Sequence, residues 1–227
     1  MIKLVSFDIW RTILDLSKFY NIVSNNIAAI TKRDYNEVRE IIDKAYKLAL
    51  MARLKGKFKR PVYDSAIFFA EALNIDVDTL FKAVAESIYD EGISNLVYSD
   101  VVPTLKRLRE RGLKIALLGN VMFWPGMITR AILYRNGILK YVDVTLFGDE
   151  IGMQKPDKQV FCMLSDLASC NLNDIVHVGD SLMNDFAGAL LAGVKAVLIK
   201  RDLNIGMIKL SDNAYIINSL EKILNIV

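Results

Sequence analysis

Ile2-Lys3-Leu4-Val5-Ser6-Phe7-Asp8 opens the chain with a mostly apolar run that stops on a carboxylate. A run apolar on both faces is what a strand needs inside a parallel sheet covered by helices. The pattern returns at residues 114–118, before Gly119-Asn120, at 142–147, before Gly148-Asp149, and at 175–178, before Gly179-Asp180. Residues 196–199 and 215–217 supply two further short runs. Helical patterns separate them. Residues 103–111 read as a helix stopped by Gly112, 156–168 open with a proline in the first turn, and 185–191 form a short helix before Gly193. Strand alternating with helix predicts right-handed crossovers and an α/β fold with a doubly wound parallel sheet.

Residues 17–92 break this rhythm and carry helical patterns only, at 18–31, 35–54, 62–73 and 77–90. Asp34 and Asp76 stand where N-caps of the second and fourth belong, because a short carboxylate can accept the unpaired N–H groups of a first helical turn. The expected organisation is a core of residues 1–16 and 93–227, with a small all-α cap at 17–92 over the end of the sheet. No internal repeat suggests an array.

Composition narrows the function. Of 227 residues, 53% are hydrophobic and 24% charged, with 29 basic and 26 acidic side chains and a net charge of +3. That excess is too small to predict nucleic acid as a partner. The richest basic stretch, 53–60, reads as a solvated loop or an attractor for an anionic substrate. Cys162 and Cys170 form neither a disulfide framework nor a metal-type spacing. No charged leader or membrane-length apolar run is read, so a cytoplasmic location and no membrane partner are expected. Abundant Ile and Lys, with only Gln154 and Gln159 as glutamines, hint at a thermophilic source. Oligomeric state is not encoded in any of these features.

Ligands of open α/β sheets bind outside the carboxyl ends of the strands. That rule selects Asp8, Asn120, Asp149 and Asp180, with Lys155 on a loop reaching the same edge and fixed by Pro156. Asp8, partly desolvated at a strand end, needs a neighbouring cation to stay ionised. So held, it can attack phosphorus or carbon and form a covalent intermediate. Asp180 and Asp185 offer oxygen ligands around Gly179, in a run where Gly permits close backbone approach. Three carboxylates opposed by Lys155 alone leave negative charge that a divalent cation, Mg²⁺, would neutralise. Taken singly, each residue has a plainer reading: Asp8 capping a turn, Asp185 capping a helix, Lys155 exposed on a loop.

Four motifs in this order resemble the haloacid dehalogenase superfamily: Phe7-Asp8-Ile9-Trp10-Arg11-Thr12, Leu117-Leu118-Gly119-Asn120, Lys155-Pro156-Asp157 and Gly179-Asp180-Ser181-Leu182-Met183-Asn184-Asp185. The resemblance covers nearly the whole chain. It implies a Rossmann-like core, a mobile helical cap that helps select substrate, and an aspartyl intermediate. Carried over to these positions, Asp8 is the nucleophile and Lys155 its partner. Asp8, the Trp10 carbonyl and Asp180 hold Mg²⁺ with Asp185 supporting. Asn120, Thr12 and the Trp10 side chain face a small anionic substrate.

Three positions depart from the phosphatase pattern. Trp10 replaces the second aspartate, the usual general acid/base, and an indole cannot transfer that proton. Gly119 replaces a Ser or Thr, and Arg11 stands where glycine is common. An aromatic at position 10 is similar to the 2-haloacid dehalogenase branch, which uses an arginine early in the cap, with Arg39 the counterpart. That branch needs no metal and carries Ser in place of Asp180. The expected function is Mg²⁺-dependent hydrolysis of a small phosphorylated metabolite. The alternatives are a haloacid dehalogenase and a catalytically weakened binding protein.

Overall fold

The computed structural model describes all 227 residues, in two compact units. One comprises Met1–Asp15, Val97–Asn120 and Gly137–Val227; the other comprises Leu16–Leu96 and Val121–Asn136. No helix is long and apolar enough to cross a membrane.

The first unit is built on one seven-stranded sheet. Its strands are β1 (Leu4–Phe7), β2 (Lys114–Gly119), β3 (Val144–Phe147), β4 (Ile175–Gly179), β5 (Lys195–Ile199), β6 (Met207–Ser211) and β7 (Ala214–Ile217), in the spatial order β3-β2-β1-β4-β5-β7-β6. Every pairing is parallel except β6 with β7. The α/β class and doubly wound sheet read from the sequence are what the chain adopts. From β1 the chain builds β2 and β3 on one side, then returns to lay β4 and β5 on the other. The crevice between the carboxyl ends of β1 and β4 is therefore the topological switch point.

Period-two alternation sends Leu4, Ala116, Ile175 and Ala196 to one face, where Val160, Phe161, Leu164 and Ala189 close a buried core. Those residues come from the helices Lys158–Ala168 and Gly188–Ala192. The helix after Pro156 begins two residues later than expected, because Asp157 is its N-cap and accepts from the Gln159 N–H at 2.9 Å. Instead of a plain helix at 185–191, residues Leu182–Ala187 wind as a π-helix before the α-helical Gly188–Ala192. Such wide turns concentrate at functional sites. Strand β6 and the helix Gly126–Arg135 carried no sequence expectation.

The second unit packs the helices Leu16–Thr31, Tyr35–Leu54, Pro61–Leu73, Val77–Ser87 and Gly126–Arg135. Asp34 and Asp76 cap as expected, accepting from the N–H groups of Glu37 and Thr79. Phe19, Tyr20, Phe69, Phe123 and Trp124 form its aromatic centre, with Phe69 and Phe123 centroids 4.2 Å apart and Phe123 and Trp124 edge-to-face at 4.7 Å.

Candidate active site

The selected strand-end residues all lie in the sheet unit. Register brings Phe7 opposite Val178, and the Asp8 N–H donates to the Val178 carbonyl at 2.8 Å. Asp8 is thereby fixed beside the end of β4, where Asp180 emerges. Oxygens of Asp8, Asp180 and Asp185 lie within 4.8 Å of one another. Asp149, also at a strand end, sits in the short helix Gly148–Ile151 and is not part of that group.

Lys155 is 2% exposed, so the reading of it as an exposed loop lysine is wrong. Its Nζ lies 2.7 Å from Asp8 Oδ1 and 2.6 Å from Asp185 Oδ1. The loop is held by Asn120, whose Nδ2 donates to the Lys155 carbonyl at 2.8 Å while its Oδ1 accepts from the Lys155 N–H at 2.9 Å. The Asn120 amide expected to face substrate is thus bound on both sides by the lysine's backbone. Thr12 is fully buried, and its hydroxyl donates to Asp8 Oδ2 at 3.3 Å, so that group too is directed at the carboxylate.

Asp185 is the most tightly held of the three acids. Its Oδ2 accepts from the Ser181 N–H at 3.0 Å, and its Oδ1 meets His177 Nε2 at 3.1 Å. A Cβ on Gly179 would fall 2.2 Å from Asp185 Cγ, so glycine is required for the carboxylate to lie there. The same test explains Gly119. A Cβ there would sit 2.8 Å from Ile9 Cδ1 and 3.2 Å from Phe147 Cδ1, so neighbouring apolar side chains crowd the space that the Cβ of a Ser or Thr would take.

The expectation that Lys155 alone opposes the carboxylates needs correction. Arg11 Nη1 lies 3.6 Å from Asp180 Oδ2, and Lys200 donates to the Asp180 carbonyl at 2.9 Å. Arg11 adopts φ 67°, a left-handed conformation unusual for a residue with a Cβ, within the turn that closes from Arg11 N–H to Leu14 C=O. A cavity of about 380 Å³ is lined by Arg11, Tyr98, Lys200 and Arg201, with Asp180 and Asp202 as its acidic members. Trp10 is half-buried in the same turn, bridged through its backbone to Leu14. In the helical unit, Arg39 pairs with Asp43 at 2.9 Å and donates to the Ser17 carbonyl.

Electrostatics follow from burial. Desolvation raises Asp8 to about 7 against the pull of Lys155, with Asp185 and Asp180 adding to the rise. Desolvation, then Asp185, raises Asp180 to about 6, with Arg11 opposing. Burial would also raise Asp185, but Lys155 and His177 outweigh it and hold that carboxyl well below the usual range. Lys155, which burial would lower, is raised by Asp185 and Asp8. Burial lowers His177. Two carboxylates therefore remain undercompensated even with Lys155 and Arg11 present. An all-oxygen donor set with surplus negative charge suits a hard divalent cation.

His177 and Ser6 are the site-adjacent residues that the motifs missed. Both are polar at inward-facing strand positions, and that break in an apolar run was the available signal.

Residues 2–193 match the haloacid dehalogenase-like hydrolase family. The chain is 34% identical over 107 residues to a glyceraldehyde 3-phosphate phosphatase of Methanopyrus kandleri, covering 46% of this chain and 43% of that protein. Over 156 residues it is 30% identical to a phosphoserine phosphatase of Thermus thermophilus, covering 69% and 60% respectively. It spans about half the length of the curated relatives it matches. A solved HAD phosphatase from Thermococcus onnurineus superposes with a TM-score of 0.67 at 26% identity, covering 99% of this chain and 97% of that one. With its motifs at the switch point of a doubly wound sheet and the family match running through strands β1 to β4, the chain belongs to the haloacid dehalogenase-like hydrolases.

Proposed function

We propose that the protein is a Mg²⁺-dependent phosphatase of small phosphorylated metabolites, with Asp8 as the nucleophile. One observation carries the reading: Asp8, Asp180 and Asp185 converge within 4.8 Å around a buried lysine. The phosphatases among its relatives support the substrate class. Asp8, the Trp10 carbonyl and Asp180 would hold Mg²⁺, with Asp185 supporting. The ion supplies charge neutralisation at the phosphoryl oxygens.

In this reading a carboxylate oxygen of Asp8 attacks phosphorus, and the bond from phosphorus to the leaving oxygen breaks. Thr12 and Lys155, each bonded to one Asp8 oxygen, hold the carboxylate in a single orientation. Lys155 also offsets charge gathering on the transferring group. Asn120 acts one step back, by fixing the Lys155 backbone. The leaving oxygen takes its proton from water, because Trp10 cannot donate one. A second water then attacks phosphorus of the aspartyl phosphate as the bond from phosphorus to the Asp8 oxygen breaks; its proton neutralises the hydroxide left by the first water, inorganic phosphate departs, and Asp8 is regenerated as carboxylate. Arg11 and Lys200 in the adjoining cavity would favour an anionic substrate.

The test is hydrolysis of an aryl phosphate and a panel of sugar and acid phosphates. Activity should require Mg²⁺, vanish in EDTA, and be absent from Asp8→Asn. The dehalogenase reading has Trp10 in its favour and Asp180 against it. Chloride release from 2-chloropropionate in EDTA, without phosphate release in Mg²⁺, would replace the first reading with the second.

A further inference from the structure

Ser6 and His177 are register partners on adjacent parallel strands, facing the same side of the sheet. Both are buried, and Ser6 Oγ lies 3.0 Å from His177 Nδ1. The other ring nitrogen, Nε2, lies 3.1 Å from Asp185 Oδ1, the oxygen that also meets Lys155 Nζ at 2.6 Å. The ring edge packs against Phe161, with centroids 5.3 Å apart.

Satisfaction of buried polar groups selects one arrangement. A buried hydroxyl hydrogen left unpaired costs free energy, and the Ser6 hydroxyl meets Nδ1. Nδ1 must then be the acceptor, which leaves the proton on Nε2, pointing at an ionised carboxylate. The opposite tautomer would strand the serine hydrogen and set a lone pair against Asp185.

We propose that His177 is a positioning residue, locked by Ser6 as the Nε2–H tautomer, which pins Asp185 so that Lys155 bridges it to Asp8. The chain Ser6–His177–Asp185–Lys155–Asp8 then runs from within the sheet to the attacking carboxylate, and His177 never touches substrate. Its effect on turnover rests on the phosphatase reading; the tautomer itself does not.

His177 is the chain's single histidine, so its imidazole gives one unambiguous set of resonances. Long-range ¹H–¹⁵N spectra of the full chain, at about pH 7, should show Nε2 protonated and Nδ1 unprotonated, with and without Mg²⁺. Ser6→Ala should shift the Nδ1 resonance or produce a tautomer mixture. An Nδ1–H or doubly protonated ring in the wild type overturns the proposal, even if phosphatase activity is found. The correct tautomer in a protein that hydrolyses no phosphate ester sinks only the functional reading.

A second pair of variants tests positioning itself. His177→Gln keeps an N–H near the Nε2 position and should stay near wild type in turnover and Mg²⁺ affinity. His177→Leu should lose about 10–100-fold in one or both, as buried partners of metal-site ligands do. Equal behaviour of Gln and Leu at wild-type level overturns the proposal. If both variants fail to fold, the wild-type and Ser6→Ala spectra still decide it.

Discussion

At the scale of single residues, the site is a contest between burial and charge. Asp8 is 9% exposed and is pushed up to about 7 even with Lys155 at 2.7 Å. An attacking carboxylate must be ionised, so the proposed chemistry depends on the positive charge around it. Trp10 sets a second constraint, because without a general acid the leaving oxygen must be able to depart nearly unaided. Aryl phosphates, whose phenol leaving groups are far stronger acids than alkyl alcohols, should therefore be hydrolysed far faster than alkyl phosphates. Trp10→Asp should raise kcat/KM for alkyl phosphates by about 10²-fold or more while changing aryl phosphates little, the size of a restored acid/base group. Equal gains on both classes, or none, would show that proton supply is not what Trp10 limits.

At the scale of elements, the site depends on two strand ends and the backbone that follows them. Gly179 closes β4, and the π-helical turn at Leu182–Ala187 carries Asp185 back over it. Gly179→Ala would place a methyl group 2.2 Å from Asp185 Cγ, so the carboxylate must move off Lys155. The variant should lose about 1–3 kcal/mol in denaturant unfolding, as overpacked sites do, and most of its turnover. A change within about 0.5 kcal/mol, the range of ordinary surface substitutions, would contradict this geometry.

The same elements show what the chain's order of residues disclosed. Six parallel strands and the four long helices of residues 16–87 announced themselves through buried apolar runs and helical periodicity. Strand β6 did not, since its residues are all exposed at the sheet edge and owe their place to pairing with β7. The helix Gly126–Arg135 follows the aromatic pair Phe123-Trp124, whose packing partners are distant in sequence. Among site residues, Asp8 and Asp180 were visible as charges ending apolar strands, Lys155 through the proline that fixes its loop, and Asp185 through the run that follows Gly179. The two-sided hold of Asn120 on Lys155, the Arg11 contact with Asp180 and the Ser6–His177 pair were not. Each depends on register or loop closure, which local patterns do not encode.

At the scale of the whole molecule, the undercompensated carboxylates tie stability to pH. Asp8 and Asp180 are raised from an ordinary 3.8 to about 7 and about 6, so between those values the folded protein holds protons that the unfolded chain has released. Metal-free stability should accordingly fall as pH rises through this window. Asp185 is held low, so its stabilising share is lost only on acidification below the ordinary carboxylate value. Mg²⁺ binds deprotonated carboxylates, so its gain in Tm should be larger near about pH 8 than near about pH 5. Thermal melts with Mg²⁺ or EDTA at both values check this, and an equal gain at each would contradict it. The central claim is that Asp8 becomes covalently phosphorylated in a Mg²⁺-dependent step. Acid-quenching the enzyme during turnover of an aryl phosphate and mapping the modified peptide by tandem mass spectrometry addresses it directly. A phosphoryl group on Asp8, formed with Mg²⁺ and absent in EDTA, is the expected result; a rapidly hydrolysing enzyme with the label on another residue, or on Asp8 equally in EDTA, would contradict it.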